Sequence, residues 1–409
     1  MHCRFCNTQL KHVFIDLVNA PPSNSFLTEA QLNEPEVYYP LKLYVCHNCY
    51  LVQIDEYRKS DDIFNSDYAY FSSYSTTWVE HARQYVEMIV PKLGLGKNSM
   101  AIEIASNDGY LLQHFKSKQI PSLGIEPTEN TAAVAREKGI ETITEFFGEK
   151  LAKKLVAHGK TADLIIGNNV FAHVPDINDF VCGLKTVLAH DGSITLEFPY
   201  LLKLMLENQF DTIYHEHFSY FSFHTVQQIF KKHGLTLYDV EEIPTHGGSL
   251  RIYARHTDDK TKPVAQSIDQ LLKKEVDAGM MEMGFYAGFQ QRADRVKYHV
   301  MSFLMEQKKK GKTVVAYGAA AKGNTMLNYC GIKKDLVQFV VDASPHKQSK
   351  YLPGSHIPVV KENRLHELKP DFVFILPWNI KEEIMDQLAY VRKWNSRFIV
   401  AVPTLDVLE

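Results

Sequence analysis

From about residue 76 onward, the chain alternates short apolar runs with stretches of helical period. The runs at 100–104, 123–125, 164–166 and 193–198 are short, apolar and bounded by turn residues. That pattern predicts strands buried on both faces. Between them, 131–138 and 180–188 place apolar residues at helical spacing. Strands separated by helices predict a parallel sheet with right-handed crossovers. The same pattern returns on a smaller scale, with strands expected at 314–317, 339–341 and 372–375. The two ends of the alternation differ from it. Residues 1–75 are rich in aromatics and poor in helical period, and residues 258–310 are polar and helix-forming. In the latter, Phe289, Val296, Val300, Phe303 and Leu304 form a stripe that reads as core or interdomain packing. The expected fold class is α/β: an N-terminal domain over 1–75, a central α/β domain over 76–257, a helical linker over 258–310 and a second, smaller α/β domain over 311–409.

Bulk composition narrows the class little. Of 409 residues, 45% are hydrophobic and 23% charged, ordinary values for a globular protein of two or three domains. A formal net charge of −3 gives no electrostatic reason to expect a nucleic-acid partner. No apolar run approaches the roughly 20 residues that span a bilayer. The opening residues MHCRFCNTQL do not read as a secretory signal. A cytoplasmic protein without a membrane partner is expected. Lys308, Lys309 and Lys310 read as a solvated helix end, and Cys182 and Cys330, alone in apolar surroundings, as core residues.

The other four cysteines carry a stronger signal. Cys3 and Cys6 form one C-x-x-C pair, and Cys46 and Cys49 another. Two such knuckles can close a tetrahedral Zn(Cys)₄ site, and four protein ligands leave no open position, so the zinc is expected to be structural. A reducing compartment argues against disulfides. His2 and His47 are near in sequence, but four cysteines suffice.

The expected cofactor site lies at the first strand of the central domain. Glu103 sits near the end of that strand, followed by a turn of small residues, Ala105, Ser106, Asn107, Asp108 and Gly109, and then Leu111 at a helix start. Small side chains let a ligand approach the backbone, and a helix N-terminus favours its negative group. Glu126 closes the next strand, about 20 residues on, where a carboxylate can accept hydrogen bonds from ribose hydroxyls. One glycine replaces the G-x-G-x-x-G of a pyrophosphate loop. S-adenosylmethionine has no pyrophosphate, and its cationic groups suit the acidic residue. Each acid alone is unremarkable; the ordered set favours a methyltransferase. Asn168 and Asn169, after the third strand, are expected to bind the methionine portion, and Phe147, beside Phe146, to stack on adenine. His173 in the same loop reads equally as a packing residue.

Tyr214-His215-Glu216-His217-Phe218 concentrates titratable and aromatic groups beyond what a structural role calls for. His215 and His217 share a face if extended, which would suit a metal; a histidine base is the other reading. The segment is not H-E-x-x-H, so a zinc protease is unsupported. Upstream, Tyr68 and Tyr70 belong to a second aromatic cluster. The motif Gly318-Ala319-Ala320-Ala321-Lys322-Gly323-Asn324-Thr325 follows a strand, and its small residues, helix start and Lys322 suit a diphosphate.

With these motifs in this order, the chain resembles bacterial sugar C-methyltransferases acting on nucleotide-linked 4-keto-deoxysugars. The resemblance rests on the paired C-x-x-C knuckles, the E-I-A-S-N-D-G-Y-L-L turn, Y-H-E-H-F and G-A-A-A-K-G-N-T. It implies a zinc-binding N-terminal domain, a Rossmann-like S-adenosylmethionine methyltransferase domain and a Rossmann-like C-terminal domain. It implies His217 as the base that deprotonates carbon 3 of a dTDP- or GDP-linked 4-keto-6-deoxysugar, with Glu216 and Tyr214 as partners and a tyrosine of the upstream cluster, Tyr70 in preference to Tyr68. Tyr68, His215, His246, Lys322 and Asn324 are then expected to contact substrate. The alternatives are transfer to oxygen or nitrogen of another small acceptor, a zinc-stabilised binding protein without catalysis, and an oxidoreductase using the C-terminal domain.

Overall fold

Three strands, β1 (His12–Ala20), β2 (Tyr39–Val45) and β3 (Val52–Ile54), pair antiparallel at the start of the chain. In β2, Leu41, Leu43 and Val45 are buried and the residues between them are not, the alternation of a strand with one covered face. One cysteine knuckle precedes β1; the other joins β2 to β3. The computed structural model describes residues 1–59 and 70–409.

After the helix Thr76–Leu93 come β4 (Ala101–Ile104), β5 (Ser122–Ile125), β6 (Thr142–Ile143), β7 (Ala162–Asn168) and β8 (Leu188–Pro199). A two-residue strand, β9 (Ser219–Tyr220), precedes β10 (Leu235–Ile243) and β11 (Ser249–His256). The central sheet has the order β10-β11-β8-β7-β4-β5-β6. Strands β4 to β8 are parallel, and β11 runs antiparallel to both its neighbours. Chain order reverses at β4, which has β5 on one side and β7 on the other. Such a reversal opens a crevice beyond the strand C-termini. The expected strands lie within these except at Met100, which precedes β4; β7 and β8 extend beyond their apolar runs because pairing continues from Ala162 with Leu188 to Asn168 with Glu197. The helix Ile177–Val187 starts where the Asp176 side chain accepts from the Asp179 amide.

Strand β9 stays out of the central sheet. Val52 pairs with Tyr220 and Gln53 with Ser219, giving a four-stranded sheet of order β1-β2-β3-β9. A strand of the central portion of the chain thus completes the N-terminal sheet.

The linker stripe packs as expected. In the helix Phe289–Lys309, Phe289, Val296, Val300 and Leu304 are buried. Phe289 stacks on Phe14 of β1 at 4.9 Å. Phe303 meets Phe372 edge-on at 5.3 Å, so this helix joins the first sheet to the last. That last sheet comprises β12 (Val314–Tyr317), β13 (Val340–Val341), β14 (Val359–Val360), β15 (Phe372–Ile375), β16 (Arg397–Val400) and β17 (Asp406–Leu408). Its order is β14-β13-β12-β15-β16-β17, parallel except for β17, with a second reversal at β12. Among the described residues, no helix is long and apolar enough to cross a membrane.

The turn after β4 is held by packing as well as by conformation. Gly109 has φ +75°, and a Cβ there would lie 2.4 Å from Ile140 Cδ1 and 3.3 Å from Ala135 Cβ. Gly109→Ala is expected to lower stability by about 1–2 kcal/mol, through left-handed strain and overpacking. Denaturant unfolding checks this; an unchanged midpoint contradicts it.

Candidate active site and cysteine cluster

A cavity of about 570 Å³ opens beyond the ends of β4, β7 and β8, where the Tyr214–His217 segment and the start of the helix Ala321–Cys330 converge. Both chain reversals, at β4 and at β12, face it. Tyr70, Ala105, Asn107, Glu126, Phe147, Asn168, Asn169, Tyr214, Glu216, His217, His246 and Lys322 line it. Tyr70, 47% exposed, stands at the rim. Tyr68 lies outside the described residues.

The turn after β4 bends through Ala105, Asn107 and Gly109, all with positive φ. For alanine that region is unfavourable, and such strain is characteristic of ligand sites. Asn107 ties the turn together. Its amide donates to Glu126 Oε2 (2.9 Å), its Oδ1 accepts from the Ser72 amide (2.8 Å), and its Nδ2 donates to the Tyr70 carbonyl (3.1 Å). Three residues expected at the cofactor have other partners in the fold. Asp108 accepts from the Ser73 amide and pairs with Lys138, Gly109 packs against Ala135 and Ile140, and Leu111 is in the core. None of the three lines the cavity; they shape the turn from behind. Glu126 also accepts from the Thr128 amide and hydroxyl. Three of its roughly four acceptor positions are therefore filled, leaving about one for a ribose hydroxyl.

Buried polar atoms without partners cost free energy and call for a ligand. Glu103, fully buried just behind the cavity wall, has neither carboxylate oxygen hydrogen-bonded. Both side-chain atoms of Asn168 and Oδ1 of Asn169 are likewise unsatisfied. Burial holds the Glu103 carboxyl well above the usual carboxylate range, and the nearby Tyr110 hydroxyl offsets only part of that. Phe147 contributes a ring to the wall, edge-on to Phe180 at 5.5 Å. A strained turn, an acid at a strand end, orphaned amides and an aromatic wall fit the ribose, amino-acid and adenine parts of S-adenosylmethionine.

Opposite this wall stands His217, 8% exposed. Its Nδ1 lies 3.2 Å from the Thr212 carbonyl, which can only accept, so Nδ1 carries the hydrogen. Nε2 is then the lone pair, and the Tyr214 hydroxyl donates to it at 2.8 Å. Burial, with His173, His246 and Lys322 nearby, holds the imidazole pKa well below its ordinary value, so it is neutral. The His173 ring stands 4.6 Å from that of His217 and its Nδ1 donates to the Glu216 carbonyl. Glu216 accepts from Asn24 Nδ2 at both oxygens (2.8 and 3.0 Å), and burial pushes its carboxyl up to about 7. His215 turns the other way. It packs edge-on against Tyr39 and Tyr57, with Nε2 3.3 Å from the Pro40 carbonyl, and does not reach the cavity. Alternation along an extended segment puts His215 and His217 on one face; the turn closed by the His217 amide on the Tyr214 carbonyl separates them. The turn therefore gives His215 and His217 no shared metal site and directs His215 away from the cavity.

The C-terminal domain supplies Lys322 and Lys347 to the cavity. Lys322 Nζ donates to Asn379 Oδ1 (2.6 Å) and lies 4.7 Å over the Trp378 ring. Trp378 in turn donates to the buried Asp211 and packs under Gly247. His246, at φ +56°, presents its ring edge-on to Trp78 inside the cavity. Asn324 is buried in its helix and does not line the cavity. Trp78, Tyr110, Asn24 and Lys347 are wall or partner residues that the sequence reading passed over. No local pattern marks them, since each reaches the site from a different element.

The four expected metal ligands converge. Sγ of Cys3 lies 3.6 Å from that of Cys49, and Cys6 lies 3.5 Å from Cys46 and 3.6 Å from Cys49. All four lie within 4.8 Å of one another. A zinc tetrahedron with bonds of about 2.3 Å has sulfur–sulfur edges near 3.8 Å, so the cluster fits it. Each knuckle closes by an amide returning to its first cysteine's carbonyl, Asn7 to Cys3 and Tyr50 to Cys46. Gln53 Nε2 donates to Cys3 Sγ at 3.2 Å, a supporting contact outside the ligand set.

This sheet and site define a methyltransferase domain joined to a cysteine-knuckle domain and a second α/β domain. Family models match all three parts: a zinc binding domain over residues 3–64, a methyltransferase domain over 78–240 and a C-methyltransferase C-terminal domain over 244–403. The C-methyltransferase NovU of Streptomyces niveus is 32% identical over 403 residues, which is 98% of this chain and 95% of NovU. The chain belongs to this C-methyltransferase family. Its methyl donor is S-adenosylmethionine, and its cysteine cluster is a structural zinc site. Among solved structures, magnesium protoporphyrin IX methyltransferase of Synechocystis PCC 6803 is 16% identical, with a TM-score of 0.33 over 44% of this chain and 80% of its own. A methyltransferase from Clostridium acetobutylicum ATCC 824 is 8% identical, with a TM-score of 0.35 over 44% and 92%.

Two outcomes follow from this geometry. Glu126→Gln is expected to weaken donor binding about tenfold, by removing one charged acceptor and loosening Asn107; calorimetry checks it, and unchanged affinity contradicts it. The folded-state pKa of Glu216, about 7, lies above its ordinary 4.5. Its neutral form is therefore the one the fold favours. Stability is complete below about 4.5, falls as pH rises to about 7, and is then level. Glu216→Gln removes that loss, so its stability relative to the parent is expected to rise by up to about 3 kcal/mol between pH 5 and pH 8. Unfolding at both values checks this, and a constant difference contradicts it.

Proposed function

We propose that this C-methyltransferase acts on carbon 3 of a nucleoside-diphosphate 4-keto-6-deoxysugar. The observation that carries the reading is the neutral His217, its Nε2 lone pair met by the Tyr214 hydroxyl, in the same cavity as the donor wall. Methylating carbon needs a carbanion equivalent, and a ketone at carbon 4 makes the neighbouring C–H acidic enough for an imidazole base.

Bound S-adenosylmethionine supplies an electrophilic methyl group on a sulfonium, held by Asn168, Asn169, Glu126 and the turn after β4. His217 Nε2 takes the carbon-3 proton, and the bonding pair moves onto the ketone oxygen. The Tyr214 hydroxyl, which occupies Nε2 in the free protein, turns to donate to that oxygen. Tyr70 at the rim is a second such donor. With the donor bound, its methyl group would pass to carbon 3 as the carbon–sulfur bond broke, the bonding pair staying on sulfur, so no oxidant would be needed. Glu216, braced by Asn24, lines the acceptor side.

Lys322 and Lys347 form the positive end of the cavity, beside the neutral His246, and a diphosphate fits there. This end also tunes the base. Lys322 is one of the charges that hold His217 deprotonated. A diphosphate paired with Lys322 removes that repulsion and raises the basicity of Nε2, so the base strengthens when its substrate is in place. NovU's full-length similarity supports a related acceptor, and the nucleotide is read as dTDP or GDP.

His217→Ala is expected to abolish both turnover and donor-independent exchange of the carbon-3 proton for deuterium, with donor affinity kept within about threefold. Mass spectrometry in deuterated buffer, with a 4-keto-6-deoxysugar nucleotide as acceptor, checks it. Persistent exchange in the variant, or none in the parent enzyme, contradicts the reading.

A further inference from the structure

We infer that Arg4, inside the first cysteine knuckle, is a positioning residue for methyl transfer. This rests on the reading of His217 as the base.

The observation is one guanidinium with contacts on both halves of the site. Its Nη1 donates to the Pro175 carbonyl at 2.8 Å, and Pro175 is part of the cavity wall that follows Asn168 and Asn169. Its Nη2 donates to the Ile54 carbonyl at the end of β3. The Ile54 amide accepts no slack there, because it donates to the carbonyl of Phe218, the residue after the base, at 3.1 Å. The guanidinium carbon also lies 5.3 Å over the Phe218 ring. Arg4 is itself fixed at its backbone: its amide donates to Gln53 Oε1 (2.9 Å), and its carbonyl accepts from Asn178 Nδ2 (3.0 Å).

The planar fork therefore spans the donor-side loop and the strand that holds the base segment. Its charge strengthens both carbonyl bonds, and burial makes them hard to replace by water. Methyl transfer needs the acceptor carbon and the methyl group in line within a fraction of an ångström, and small misplacement is expensive. Arg4 touches neither reacting group. It fixes the separation of the two walls that hold them, and the knuckle fixes Arg4.

The test compares Arg4→Met and Arg4→Lys in the full-length protein, following zinc content, thermal unfolding, donor affinity by calorimetry, and kcat and KM for a nucleoside-diphosphate 4-keto-6-deoxysugar. Arg4→Met is expected to keep one zinc per chain and to lose roughly 10²-fold in kcat, while the acceptor KM and the donor affinity change by less than about fivefold. Arg4→Lys keeps the charge but not the fork, and is expected to recover only a small part of kcat. A role confined to stability lowers the folded fraction and leaves kcat of the folded, zinc-loaded protein intact; that result overturns the inference. If Arg4→Met does not accumulate as folded protein, Arg4→Lys decides, and parental kcat in it overturns the inference too. Failure of the His217 reading is distinguishable, because it appears as turnover that survives His217→Ala.

Discussion

The pairing of β9 with β3 is the constraint on which the site depends. Two residues after His217, the proposed base, the chain leaves the central domain and becomes the fourth strand of the cysteine-knuckle sheet. A two-residue strand has little cohesion of its own. Its position is set by β3, and β3 by the knuckle that ends in Cys49. The segment bearing Tyr214, Glu216 and His217 thus hangs between two sheets, with Thr225 Oγ1 bonded to the Cys49 carbonyl just beyond it (2.8 Å). A structural zinc with no open coordination position can still govern chemistry, by fixing where a base stands.

The cavity is costly by design on both walls. On the donor side, Glu103 and Asn168 are buried without hydrogen bonds, and Ala105 is held in a left-handed conformation. Each costs on the order of 1–3 kcal/mol in the free protein. A bound donor recovers part of that cost, which makes binding energy out of stored desolvation. On the acceptor side the cost takes another form. His173, His217 and His246 are all kept neutral by burial, and the Lys322 and Lys347 side chains line the same cavity.

Much of this was legible in the sequence, and the exceptions have identifiable causes. Apolar runs located the parallel strands because strands buried on both faces have no competing pattern. The cysteine knuckles were legible because C-x-x-C spacing is dictated by ligand geometry. Glu126, Asn168 and His217 were reachable because they sit at strand ends or in a dense motif. The direction of His215 was not legible because a turn, not an extended segment, joins it to His217. The surroundings of Asp108 and Leu111 were not legible because adjacency to a turn says nothing about which side a side chain takes. Asn24 and Arg4 had no readable signal: their partners lie 192 and 171 residues away in sequence, at Glu216 and Pro175. Such contacts belong to tertiary packing alone.

Backbone hydrogen exchange reads whether the zinc-bearing sheet holds the Tyr214–His217 segment in place. The measurement follows amide exchange by peptide mass spectrometry, with zinc bound and after chelation, without donor or acceptor. Residues 214–221 are expected to lose protection together with 39–54, while 101–125 in the central sheet retain theirs. Protection of 214–221 that survives zinc removal, or that falls only in step with 101–125, contradicts it.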